Sequence, residues 1–197
     1  MKRNLFFYIC PALEKRAFLF DLMISIKDKI FVPYITANSL TQRVGEIGGE
    51  ISKDFKEDCP VLLGILNGSF IFLSDLAKSI SIPLEVSFVK ISSYSGTSST
   101  GNVRNLLGLD IDLKNRSVII VEDIIDTGLS MNYLLEMIKK ESPKKIAIAT
   151  LLFKPDALAY PININYIGYE IPNKFVVGYG LDFDGLGRNL PEIYQLK

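Results

Sequence analysis

The stretch SVIIVEDIIDTGLS (117–130) concentrates the side chains most able to do chemistry. Glu122, Asp123 and Asp126 lie within five residues, and Thr127, Gly128, Leu129 and Ser130 follow. Residues 118–121 read as a buried strand, and DTGLS reads as a loop opening a helix. Consecutive backbone N–H groups at such a junction, joined by two hydroxyls, suit one phosphate monoester. The carboxylates would repel that phosphate unless they face sugar hydroxyls or a divalent metal. Mg²⁺ is held through one or two carboxylates together with substrate phosphates and water. The chemistry indicated is a phosphorylated sugar with free hydroxyls and Mg²⁺ nearby. The competing reading makes Asp126 a helix N-cap and leaves Glu122 and Asp123 as solvated strand-end charges.

Composition limits what else can take part. The chain has 197 residues, enough for one domain with a full core and a small lobe. Its 22 basic and 22 acidic residues balance, so no global field favours nucleic acid or a membrane surface, and an anionic ligand must be held locally. Histidine is absent, which excludes His-dependent triads, His metal sites and imidazole acid–base chemistry. Cys10 and Cys59 are too few for a disulfide framework, and no CxxC occurs. The opening MKRNLFFYICPAL imitates a signal peptide, but Glu14, Lys15 and Arg16 interrupt the apolar run and no small-residue cleavage site follows. No apolar run approaches the roughly 20 residues of a spanning helix. Residues 1–22 are expected to be a peripheral extension, and the location cytoplasmic, with no membrane partner.

The elements that must position the acidic loop follow from periodicity. Residues 30–35 form a short extended piece, and Asn38 and Ser39 can cap a helix to about residue 55, with Leu40, Val44, Ile47 and Ile51 at helical spacing. VLLGIL (61–66) is continuously apolar, the mark of a strand buried on both faces. A helix over 70–80, a strand over 84–91 and a glycine-containing polar loop, SSYSGTSSTGNV, come next. A strand at 118–121, a helix over 128–140 and the strand KKIAIATLLFK complete an alternation that implies an α/β domain with a mainly parallel twisted sheet flanked by helices. Residues 155–197, rich in proline and tyrosine and without a long helical pattern, are expected to form a small lobe beside a core of about 36–154. Ligands of open α/β sheets bind outside the carboxyl ends of the strands. The loops leaving those ends are LNGS (66–69), EDIIDTGLS and the turn after Lys154. Neither a Walker loop nor a dinucleotide fingerprint is present.

The residues carry a resemblance. VIIVEDIIDTGLS resembles the phosphoribosyl pyrophosphate (PRPP) motif of the type I phosphoribosyltransferases, in the form found in the hypoxanthine (hypoxanthine-guanine) enzymes. LNGSF stands where that family has its pyrophosphate loop, and SSYSGTSSTG where it has a flexible lid with a Ser-Tyr pair. LLFK (151–154) and YEIPNKFVVGYGLDFDGLGRNLPEI (169–193) are similar to its purine-binding lobe. The resemblance covers about residues 24–197 in the right order.

It implies the type I phosphoribosyltransferase fold with a small C-terminal purine-binding lobe. The implied reaction is Mg²⁺-dependent transfer of the 5-phosphoribosyl group from PRPP to a 6-oxopurine, with release of pyrophosphate. Asp126 matches the acid at the purine N7 proton. Glu122 and Asp123 match the residues at the ribose hydroxyls and their Mg²⁺, and Thr127, Gly128, Leu129 and Ser130 the 5-phosphate cradle. Asn67 and Gly68 match the pyrophosphate loop, and Arg188 a pyrophosphate contact. Lys154 matches the donor to the purine O6, Phe175 the stacking residue and Val176 the carbonyl at the purine edge. Asp182, in the same lobe, matches the ligand of a second Mg²⁺. Ser93 and Tyr94 match the lid, whose closure keeps water from the reacting sugar. Taken alone, Lys154 also reads as a snorkelling lysine, Phe175 and Val176 as core, Asp182 and Arg188 as an ion pair, and the lid as a plain loop.

Two positions depart from the pattern. Asn67 stands where many relatives carry Lys, leaving backbone N–H groups and Mg²⁺ to hold the pyrophosphate, and Leu129 replaces a Lys found in some. A homodimer or homotetramer is implied by the resemblance alone. The rival readings are a transferase for another base and a PRPP-binding regulator. Lys154 and Phe175 argue against the first. The absence of a basic stripe and of room for a DNA-binding domain argues against the second and against a nucleic-acid partner.

Overall fold

The computed structural model describes residues 23–93, 103–107 and 109–197. In chain order the elements are β1 (Ile24–Ile26), β2 (Lys29–Ile35), α1 (Ala37–Asp54), β3 (Val61–Leu66), α2 (Phe70–Ser79), β4 (Glu85–Ser93), β5 (Val103–Leu107), β6 (Ser117–Ile125), α3 (Leu129–Lys140), β7 (Lys145–Phe153), a 3₁₀ turn (Pro155–Ala157), β8 (Tyr166–Glu170), β9 (Val176–Val177) and β10 (Ile193–Leu196). Residues 1–22 and Tyr94 lie outside the described residues, so the expectations for them are not tested; Ser93 closes β4.

The uncharged runs form the middle of a six-stranded sheet in the order β5-β4-β3-β6-β7-β8. The five strands from β4 to β8 are parallel, and β5 joins the edge antiparallel to β4. Both faces are covered, which is why these strands are apolar without alternation. On one face α1 (Leu40, Val44, Ile47, Ile51) and α2 (Phe72, Leu73, Leu76) pack against Leu62, Ile119 and Val121. On the other, Met131, Leu134 and Ile138 of α3 pack against Leu63, Val118, Ile120 and Ile148. Each such fully buried aliphatic side chain contributes about 1.5–3 kcal/mol. Among the described residues no helix is long and apolar enough to cross a membrane.

A second sheet, β1-β2-β10-β9, is antiparallel and joins the front of the chain to its end, with Tyr194 opposite Pro33 and Leu196 opposite Phe31. The small lobe therefore takes in residues 24–35, while β8, expected in that lobe, extends the main sheet beside β7. Strand pairing between segments so distant in sequence leaves no local signal. For the same reason β5, which begins in the stretch expected to be loop, is a strand by virtue of β4. The cap of α1 also differs: Thr36 Oγ1 accepts the Ser39 N–H at 3.3 Å, so Asn38 and Ser39 lie inside the first turn.

Candidate active site

All five parallel strands point their carboxyl ends to one edge, and Asn67, Asp126 and Lys154 leave the sheet there side by side. β6 runs longer than its apolar core suggests, so Glu122 and Asp123 sit inside the strand rather than beyond it. Their environment is not that of solvated strand-end charges. Glu122 Oε2 is buried without a hydrogen-bond partner, and burial, aided by the neighbouring Asp123 charge and a hydrogen bond to it, pushes the Glu122 carboxyl well up. Burial also raises Asp123, against hydrogen bonds from Glu122 and the Ile124 N–H and the field of Arg188.

Gly68 explains how Asp123 fits. A Cβ at Gly68 would fall inside the Asp123 carboxylate, so only a glycine lets the LNGS loop lie over it. On its other side, the Gly68 carbonyl occupies the space that a Cβ at Gly180 would fill. Strand end, LNGS loop and the segment around residue 180 are thus stacked in direct contact. The Leu66–Asn67 peptide is cis.

After β6 the chain turns through Gly128, at φ 82°, and α3 starts at Leu129 without a side-chain cap. Asp126 is therefore not the N-cap of α3. The Thr127 carbonyl accepts the N–H groups of Ala159 and Tyr160 at 3.0 and 3.1 Å, which ties the loop to the chain following β7. Glu122, Asp126, Thr127, Gly128, Leu129 and Ser130 line a cavity of about 120 Å³. A cavity of this size at the start of a helix suits a small anion.

A larger cavity, about 310 Å³, opens on the other side of Asp126 and is lined by Asp123, Asp126, Lys154, Phe175, Val176 and Asp182, among others. Lys154 is only 7% exposed, and its ammonium donates to Asp126 Oδ2 at 3.1 Å and to Asn173 Oδ1 at 3.4 Å. It is a buried, directed donor rather than a snorkelling lysine. Phe175 is 45% exposed toward solvent and meets Phe183 edge-on at 5.8 Å, so it is a supported ring with a free surface, whereas Val176 is buried in β9. Asp182 pairs with Arg188 at 2.6 Å, and its other oxygen accepts the Gly185 N–H at 2.6 Å. Arg188 also donates to the Gly180 carbonyl at 2.7 Å. Asn173, Leu181 and Gly180 take part in the site without having been singled out from sequence; of these only the GYG at 178–180 carried a local signal.

These positions bring together the loop residues 122–130 with 67, 68, 154, 175, 176, 182 and 188. Among the described residues no three His, Cys, Asp or Glu side chains converge as a metal centre. Glu122 and Asp123 are paired, while Asp182 stands at the larger cavity.

The phosphoribosyl transferase domain model matches residues 35–184, a span that takes in the parallel sheet, the small cavity after its central strand and the aromatic-walled pocket beside it. The chain is 41% identical over 175 residues to a hypoxanthine-guanine phosphoribosyltransferase of Mycobacterium avium, covering 82% of this chain and 86% of that one. It is 42% identical over 161 residues to one of Streptococcus pyogenes, with 81% and 89% covered. A hypoxanthine phosphoribosyltransferase structure from Staphylococcus aureus superposes with a TM-score of 0.82 at 36% identity, covering 91% of this chain and 95% of that one. The chain belongs to the hypoxanthine-guanine phosphoribosyltransferase family.

Proposed function

We propose that this enzyme transfers the 5-phosphoribosyl group from PRPP to hypoxanthine or guanine, giving the nucleoside monophosphate and pyrophosphate. The observation that carries the reading is that Asp126 lines both cavities, the anion cradle and the aromatic-walled pocket. A phosphate held in the first and a base held in the second place the sugar carbon between them, beside Asp126. The bond from that carbon to the pyrophosphate oxygen breaks, its bond to the purine nitrogen forms, and positive charge develops on the sugar. A carboxylate at that point stabilises the charge and takes up the proton at purine N7.

Lys154 has two of its three N–H groups engaged by Asp126 and Asn173, which leaves one for the ligand. A donor there favours a 6-oxo group and rejects the 6-amino group of adenine. Phe175 stacks on the base, the backbone of Val176 meets its edge, and the N–H groups from Thr127 to Ser130 hold the 5-phosphate. Asn67, Gly68 and Arg188 take the pyrophosphate side. Ser93 and Tyr94 belong to the lid in this reading.

The donor set fits Mg²⁺. Glu122 Oε2 is a buried oxygen without a partner, and the Asp123 carboxylate adjoins it. Hard oxygen donors of this kind, completed by ribose hydroxyls and phosphate oxygens, are what the ion takes, and it supplies charge neutralisation for the pyrophosphate. Asp182 is assigned to a second ion on the pyrophosphate side. A homodimer or homotetramer accompanies the reading and is measured by light scattering.

A spectrophotometric assay with hypoxanthine, guanine, xanthine, adenine and uracil in the presence of PRPP and Mg²⁺ tests the proposal. Turnover of hypoxanthine is expected, with none of adenine or uracil. PRPP binding without turnover of any base would favour a regulator instead.

A further inference from the structure

Three successive residues, Gly178, Tyr179 and Gly180, have φ of 100°, 50° and 105°. For the two glycines this region is open, but a bulky aromatic residue adopts it only where its surroundings hold it there. The surroundings are specific. The Tyr179 N–H donates to the Leu190 carbonyl at 2.8 Å, and its side chain is 6% exposed. Its hydroxyl donates to Asp75 Oδ2, on α2, at 2.6 Å, and the other oxygen of Asp75 is held by Lys78 at 2.6 Å.

α2 is the helix that continues the LNGS loop. The Tyr179–Asp75 bond therefore fastens the 178–180 segment to the same rigid element that carries Asn67 and Gly68. The consequence falls at the next residue, where Gly180 lies against the Gly68 carbonyl. The Gly180 carbonyl in turn receives Arg188, and the Gly180 N–H donates to the Arg188 carbonyl at 3.0 Å. The Tyr179 hydroxyl is thus the tie between α2 and the segment on which the LNGS loop and Arg188 meet.

We propose that Tyr179 is a positioning residue for the pyrophosphate half of PRPP, aligning the Asn67–Gly68 backbone with Arg188 through its bond to Asp75. The proposal deepens the phosphoribosyl-transfer reading and rests on it. With the uncharged Asn67 in the loop, alignment of backbone N–H groups must supply what a lysine side chain would otherwise add, so loss of that alignment is felt in pyrophosphate affinity. The base pocket has braces of its own that the Tyr179 hydroxyl does not touch, Lys154 on Asp126 and Phe175 on Phe183.

The test is titration calorimetry of PRPP and of inorganic pyrophosphate, with Mg²⁺ present, on the full chain and on Tyr179→Phe, beside steady-state kinetics and thermal melting. Tyr179→Phe keeps the ring and loses one hydrogen bond, so affinity for both ligands is expected to fall about five- to tenfold. The KM for hypoxanthine and kcat at saturating PRPP should stay within about twofold. If Tyr179→Phe does not fold, Asp75→Ala removes the same bond from the other side and should show the same split. Unchanged pyrophosphate affinity, or equal losses for pyrophosphate, PRPP and base, would overturn the assignment. A wild-type protein that binds neither PRPP nor pyrophosphate would overturn the underlying functional reading, a result separate from a wild type and a variant that bind equally.

Discussion

In the proposed reaction Asp126 is the residue on which the chemistry turns. It lines both cavities, receives the buried Lys154 ammonium and caps no helix, since α3 begins behind Gly128. Asp126→Asn keeps the size and one acceptor oxygen, so Lys154 and the loop stay in place. It loses the negative charge and the capacity to exchange a proton. A kcat lower by about 10²–10⁴-fold is expected, the usual size of a general acid–base contribution, with the KM for PRPP changed only a few-fold. Steady-state kinetics decides it, and a near-normal kcat would take Asp126 out of the reaction.

At the scale of elements, the site depends on how closely β6 and the LNGS loop approach. Gly68→Ala forces a methyl group into the Asp123 carboxylate, and one of the two must move. Overpacking of this kind costs about 1–3 kcal/mol. A lower melting temperature and weaker PRPP binding are expected together; a variant unchanged in both would show that the loop is free to shift.

The opposite edge of the sheet is held by Asp58, which precedes β3 and accepts hydrogen bonds from Lys144 and from Ser117. The Lys144 ammonium and the Ser117 hydroxyl hold the Asp58 carboxyl below its ordinary range. A group lowered on folding contributes stability above its unfolded pKa, ~3.9 for Asp, and loses it as pH falls through the folded value. Urea unfolding of Asp58→Asn should therefore show lower stability than the wild type at pH 7 and a difference that closes below about pH 4. A constant difference across that range would assign the effect to packing.

For the whole molecule, function requires two sheets to present their residues to one space. The main sheet brings Glu122, Asp123, Asp126 and Lys154, and the segment between β9 and β10 of the small sheet brings Asp182 and Arg188. In the proposed reaction acidic side chains and substrate phosphates share one place, and the proposed Mg²⁺ would reconcile them. Excess EDTA should abolish turnover, and added Mg²⁺ should restore it. Full activity under chelation would refute the metal dependence.

Much of this was legible in the chain alone. The apolar runs at β3, β6 and β7 carry no charge within their cores because both faces of those strands are buried, so sheet, helices and the edge where ligands bind follow from local pattern. The acidic loop suggested a sugar phosphate and a cation, the reading that the proposed function carries forward. What local pattern could not contain was the pairing of β2 with β10, the recruitment of β5 and β8, and the contacts through which Asn173 and Tyr179 act on Lys154 and the LNGS loop. Those rest on backbone hydrogen bonds and side-chain contacts between segments far apart in sequence. No window of neighbouring residues records them, and only the folded chain brings the partners within reach.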